Sequence, residues 1–112
     1  MGYVCNYVRN LASVAMRREP ERPLLFSYYV THRCDLNCCY CCDGDGVRFK
    51  ENPIRELDVD EARRLIEALR RSGDTLDITG GEPLVREDLE DILESAQSAG
   101  FRVVLNLSLI HI

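Results

Sequence analysis

The sequence has 112 residues, 46% hydrophobic and 29% charged, with a formal net charge of −5 and an isoelectric point near 5.0. That length holds one domain at most, and the mix is that of a folded chain rather than a disordered one. The acidic balance offers nucleic acid no broad attraction, no apolar run approaches the roughly 20 residues of a membrane span, and no signal peptide is visible.

Residues 3 to 18 place Val4, Tyr7, Val8, Leu11, Ala12, Val14 and Ala15 at helical spacing, ending in Arg17-Arg18 before Pro20. This predicts an amphipathic helix packed on its own domain, with a membrane-surface helix as the alternative. Cys5 on it reads as a small buried hydrophobe. Glu19 to Pro23 is a breaker, so residues 1–22 form a helix and linker, and 23–112 form the main unit. Leu24 to Thr31 is apolar nearly throughout and predicts a parallel strand covered on both faces. A cysteine-rich loop follows, then Asp43-Gly44-Asp45-Gly46, whose spacing fails as a calcium loop and reads as a turn.

Asp58 and Glu61 have capping-box spacing. Val59, Ala62, Leu65, Ile66 and Leu69 form an apolar stripe, with Arg63, Arg64, Arg70 and Arg71 on a solvated face and Gly73 as the C-terminal cap. Thr75–Thr79 is a short strand, followed at once by Gly80-Gly81-Glu82-Pro83. A second helix is expected from about Arg86 to Ser98, stopped by Gly100, and a third strand from Phe101 to Leu107. The order is helix, then β-α-β-α-β, so the strands are parallel and joined by crossovers. The cysteine loop and Gly-Gly-Glu-Pro then lie side by side at the sheet edge where α/β folds place their sites. Asp77 faces either a barrel interior or a helix interface, and His32 is expected to face solvent.

Five of the six cysteines fall between Cys34 and Cys42. Adjacent cysteines strain a disulfide, and crowded free thiols suit a soft metal or an iron–sulfur cluster in a reducing cytoplasm. Three readings stand side by side. A zinc site needs a fourth ligand from His32 or Cys5. Cys34, Cys39 and Cys42 have a plant-ferredoxin spacing but no distant fourth cysteine. Cys34, Cys38 and Cys41 would hold three irons of a cubane and leave the fourth open, as a catalytic metal site does. Cys39 and Cys42 then fill the back of the loop.

Cys34-x3-Cys38-Cys39-Tyr40-Cys41 together with Thr79-Gly80-Gly81-Glu82-Pro83-Leu84 resembles the radical S-adenosylmethionine enzymes over roughly Pro23 to Leu107. The resemblance implies a partial six-unit (βα) TIM-like barrel, of which about the first β-α-β-α-β is present. It implies that Cys34, Cys38 and Cys41 ligate a 4Fe–4S cluster whose free iron is chelated by S-adenosylmethionine. Tyr40 would lie near the adenine, and Gly80, Gly81, Glu82 and Pro83 would hold the methionyl amine. Reductive cleavage would give a 5′-deoxyadenosyl radical for hydrogen abstraction. The motif combination is most similar to branches that mature peptides and build cofactors. It implies a flavodoxin or ferredoxin as electron donor and a small-molecule or peptide substrate. The rival class is a non-catalytic iron–sulfur or zinc-binding module. The chain is expected to be an N-terminal fragment, inactive alone, and its tail after about Asn106 resembles translated adapter sequence, a resemblance that would make those residues foreign. His111 in that tail marks no site.

Overall fold

A computed structural model describes residues 3–20, 22–38, 41 and 46–108 of the protein. Its elements are α1 (Tyr3–Ala15), β1 (Phe26–Tyr29), α2 (Val59–Arg70), β2 (Thr75–Thr79), α3 (Leu89–Ser98) and β3 (Arg102–Leu105). Short 3-10 turns at Phe49–Glu51 and Pro83–Val85 interrupt the connections. The three strands form one parallel sheet in the order β1-β2-β3, with Tyr28 beside Ile78 and Ile78 beside Leu105. Each crossover carries one helix, as parallel pairing requires. This is the expected α/β arrangement, the first part of a βα barrel.

The core lies between one sheet face and the two crossover helices. Leu76 and Ile78 are fully buried against Ala62 and Ile66 of α2 and Ile92 and Ala96 of α3. Burying each large aliphatic side chain stabilises by about 1.5–3 kcal/mol, so these positions dominate the fold. The capping box forms as its spacing predicts: the Asp58 carboxylate accepts the Glu61 amide at 2.8 Å, and the Glu61 carboxylate accepts the Asp58 amide at 3.0 Å.

Several expectations change. β1 is shorter than Leu24–Thr31 and is covered on one face: Ser27 and Tyr29 are exposed, while Phe26 and Tyr28 pack on the core. An uninterrupted apolar run does not tell which alternate residues face outward. Only β2, flanked by strands on both sides, is buried at its first four positions. Asp77 sits between core residues Leu76 and Ile78, so strand alternation puts it on the face away from α2 and α3. The third strand ends at Leu105 rather than Leu107.

The cap of α2 is Arg71, not Gly73. Gly73 closes the next turn, its N–H donating to the Leu69 carbonyl at 3.2 Å, and a β-carbon there would lie 2.7 Å from the Phe26 ring. Arg70 leaves the solvated face and sets its guanidinium 5.9 Å from the Phe101 ring centre. Helix α3 starts at Leu89 rather than Arg86, because Pro83–Val85 turns first and Arg86 is buried. Gly100, at φ +87°, ends that helix as expected.

The largest departure is α1. Its apolar stripe faces outward, Asn6 is its buried residue, and Cys5 is exposed rather than buried. The polar side, through Asn6 and Asn10, faces the protein, and the Asn10 amide donates to the Arg22 carbonyl at 2.6 Å. Of the Asp43–Gly46 turn, Asp43 to Asp45 lie outside the described residues, as does His111.

Candidate functional site

The site is built where β1 and β2 end. Parallel pairing does not stop with the strands: the Gly81 N–H donates to the Thr31 carbonyl at 2.8 Å, and the Glu82 N–H donates to the Arg33 carbonyl at 2.9 Å. The stem of the cysteine loop is thereby zipped onto Gly-Gly-Glu-Pro. Both glycines are needed for this approach. A β-carbon on Gly80, whose φ is +153°, would lie 2.3 Å from the Thr31 carbonyl oxygen, and one on Gly81 would lie 2.3 Å from that of Arg33. These are backbone atoms that cannot swing aside.

Cys34, Cys38 and Cys41, all without disulfides and partly exposed, line a single cavity of about 310 Å³ with Thr79, Gly81 and Glu82. Asn106 to Ser108, directly after β3, line it as well, as do Asn37, Arg48 and Lys50. The Leu36 N–H points at the Cys34 sulfur at 3.4 Å. The Cys41 N–H donates to the Cys38 carbonyl at 3.3 Å, so a turn links the second and third thiols. Among the described residues no three Cys, His, Asp or Glu side chains converge as a single ion requires. Three free thiols of one loop beside a shared cavity are a soft donor set, of the kind an iron–sulfur cluster takes. Tyr40, Cys39 and Cys42 lie outside the described residues.

Glu82 is 1% exposed, and its carboxylate accepts the Ser108 amide at 3.0 Å and the Leu84 amide at 3.3 Å. It ties the end of β3 to the cavity wall. Pro83 is buried and opens the short 3-10 turn. Gly80 supports the wall from behind; Gly81 and Glu82 reach the cavity itself.

Two supports escape sequence reading. Arg86, 5% exposed, donates to the Val30 carbonyl at 2.7 Å and the Leu57 carbonyl at 2.9 Å, and grips Asp88 through two contacts of 2.7 Å. It fixes the last residue of β1's extension directly before the loop stem. The Arg86 guanidinium holds the Asp88 carboxyl below its usual range. That use of Asp88 also leaves α3 without a side-chain cap. In the second support, Glu56 takes the Thr31 hydroxyl and a two-pronged bond from Arg33 at 2.8 and 3.0 Å. Bonding to Arg33 first, and to Thr31 as well, lowers the Glu56 carboxyl against the opposing effect of burial. No motif marks either residue, because a buried arginine near a helix start looks in sequence like a surface one.

His32 is half-buried rather than fully solvent-facing, its Nδ1 lying 2.7 Å from the Asn52 carbonyl. Asn106 donates from Nδ2 to Asp77 at 2.8 Å, connecting the open sheet face to the cavity wall.

Comparison with known proteins agrees with this layout. The radical SAM superfamily model matches residues 28–112. The AdoMet-dependent heme synthase of Methanosarcina barkeri is 38% identical over 84 residues, 74% of this chain and 23% of that protein. The GTP 3',8-cyclase of Desulforamulus reducens is 42% identical over 67 residues, 58% of this chain and 20% of its own length. A 7,8-dihydro-6-hydroxymethylpterin dimethyltransferase of Methanocaldococcus jannaschii is 32% identical over 81 residues, covering 70% and 15%. The chain thus spans about a quarter or less of these curated relatives. Since the family model matches most of the chain, from within β1 through β2 and β3 and across both motifs, the chain belongs to the radical SAM superfamily.

Proposed function

We propose that the chain carries the cluster- and S-adenosylmethionine-binding part of an enzyme that starts radical chemistry during cofactor biosynthesis or peptide maturation. The observation that supports this most is the shared cavity: three thiols from the β1 loop and the Gly81-Glu82 wall from β2 face the same space. Cys34, Cys38 and Cys41 would hold a 4Fe–4S cluster. Gly81 and Glu82, backed by Gly80 and Pro83, would present the wall to the methionyl amine, and Tyr40 would neighbour the adenine. When bound, the reduced cluster and S-adenosylmethionine supply a 5′-deoxyadenosyl radical able to take hydrogen from a substrate.

The chain's own residues do the positioning. Thr31 and Arg33 are fixed by backbone pairing on one side and by Glu56 on the other, so the first ligand, Cys34, leaves a rigid stem. Arg48 and Lys50 bond to Asn37 and to the Leu36 carbonyl, and so hold the loop between the first two thiols. A stiff first ligand and a braced loop keep a reactive site within small tolerances.

The functions of these relatives, heme synthesis, GTP cyclisation and pterin methylation, favour a cofactor-building role. The substrate itself we leave at small molecule or peptide. A flavodoxin or ferredoxin would supply the electron, in the cytoplasm. We place the domain boundary near residue 22, with α1 outside the core.

The test is electron paramagnetic resonance of the complete protein, reconstituted anaerobically, with an assay for 5′-deoxyadenosine. A reduced-cluster signal that changes when S-adenosylmethionine is added, with 5′-deoxyadenosine formed, is the expected result. A cluster indifferent to S-adenosylmethionine, or zinc alone, would replace the enzyme by a binding module.

A further inference from the structure

We propose that α1 is a membrane-surface helix that seats the protein on an anionic lipid bilayer. Val4, Tyr7, Val8, Leu11 and Val14 form one stripe at helical spacing, and all five are exposed; Val8 and Leu11 are 57% and 53% accessible. A stripe this continuous on a soluble surface marks a contact site. The helix turns its polar side inward, burying Asn6 and tying Asn10 to Arg22, so its apolar side is the one presented outward.

Charge identifies the partner. Residues 1–18 contain three arginines and no aspartate or glutamate, in a chain whose net charge is −5. Arg17 and Arg18 are exposed at the end of the stripe, beside exposed Met16. An apolar stripe that ends in two exposed cations, Arg17 and Arg18, ahead of the first carboxylate, exposed Glu19, complements anionic headgroups above an acyl boundary. The stacked Tyr3 and Tyr7 rings, 6.4 Å apart, supply the amphipathic aromatics that prefer that boundary. No helix among the described residues is long and apolar enough to cross a membrane, so the contact is one of lying on the surface. A second copy of the chain fits less well: one 13-residue helix face covers about 20 by 10 Å, against the roughly 800 Å² per partner of a stable interface. The helix also lies before the family match at residue 28, so this role is separable from the chemistry.

The experiment is co-sedimentation of the complete protein with vesicles of phosphatidylcholine alone or of phosphatidylcholine and phosphatidylglycerol in equal parts. Binding is expected to the anionic vesicles, weakened by salt. Val8→Asp/Leu11→Asp should abolish it without moving the melting temperature. Arg17→Gln/Arg18→Gln should weaken it roughly 25-fold, at about fivefold per arginine. Absence of binding, or binding indifferent to Val8→Asp/Leu11→Asp, overturns the proposal. So does a large fall in melting temperature in that variant, which would mean that the protein's own chain covers the stripe. A dimer that the variant splits into monomers, with no vesicle binding, would assign the stripe to a second copy.

Discussion

At Gly81 the two motifs meet closely, and the reason for glycine there is a carbonyl rather than a ligand. A β-carbon would sit 2.3 Å from the Arg33 carbonyl oxygen and 2.7 Å from that of His32, both main-chain atoms. Gly81→Ala must therefore push the loop stem off the β2 end, at the ~1–3 kcal/mol typical of overpacking. A lowered melting temperature in the apo protein checks this; an unchanged one would mean that the stem gives way freely. Gly46 is the contrast, since it has space around its α-carbon although φ is +80°. Arg86 acts by the opposite means, filling rather than yielding. Arg86→Met would leave the Val30 and Leu57 carbonyls without its donors and Asp88 without its counter-charge. Each buried carbonyl left unpaired costs about 1–3 kcal/mol, and total stability is only about 5–15 kcal/mol. The variant should lose several kcal/mol in urea unfolding, with Arg86→Lys between it and wild type because an ammonium cannot make the forked contact. Equal loss in both variants would show that the fork is dispensable.

At the scale of elements, the loop stem and the start of α2 share an acid-sensitive fastening. Glu56 is held below the usual carboxyl range by Arg33, and Glu61 is pushed down to about 2 by Arg55 and the Asp58 amide. Both carboxyls are depressed in the folded state, so their contribution is complete above the unfolded value of about 4.3 and lost as pH falls through the folded values. The melting temperature should therefore drop between pH ~4.3 and about 2, and Glu56→Gln/Glu61→Gln should flatten that drop. Parallel curves for variant and wild type would assign the acid sensitivity elsewhere. The same elements divide what sequence pattern can and cannot specify. Helix α2 with its capping box, β2 and the body of α3 were legible because periodicity and end signals agree there. The meeting of the two motifs was legible too, because alternating strands and helices dictate where strand ends fall. The inner residue of α1 was not, since an amphipathic pattern shows that two faces differ and not which one the protein meets. Gly73 misled because a glycine after a helix reads as a cap, whereas here a phenylalanine ring claims its space.

For the whole molecule, the decisive feature is that the sheet has two sides and only one is covered by helices. β1 and β3 are both edge strands among the described residues. On the face away from α2 and α3, Tyr29 is 42% exposed and Val104 is 45% exposed. Unpaired backbone edges beside exposed apolar side chains are a template for association. In a barrel of this family that face points inward, which makes Asp77, Asn106 and the cavity wall one continuous surface rather than an outer skin. The 112-residue chain by itself should then associate as its concentration rises, through sheet faces and edges rather than through the cysteines. Val104→Lys puts a charge on that face at a position already half in water, so it should suppress association while leaving the monomer's unfolding free energy within about 0.5 kcal/mol of the wild type's. Sedimentation velocity across a concentration series, with reductant present to exclude disulfides, measures the association, and urea unfolding measures the stability. A chain that stays monomeric throughout, or a Val104→Lys variant that associates as wild type does, would mean that the open face is protected, and the exposed stripe of α1 would become the surface to test next.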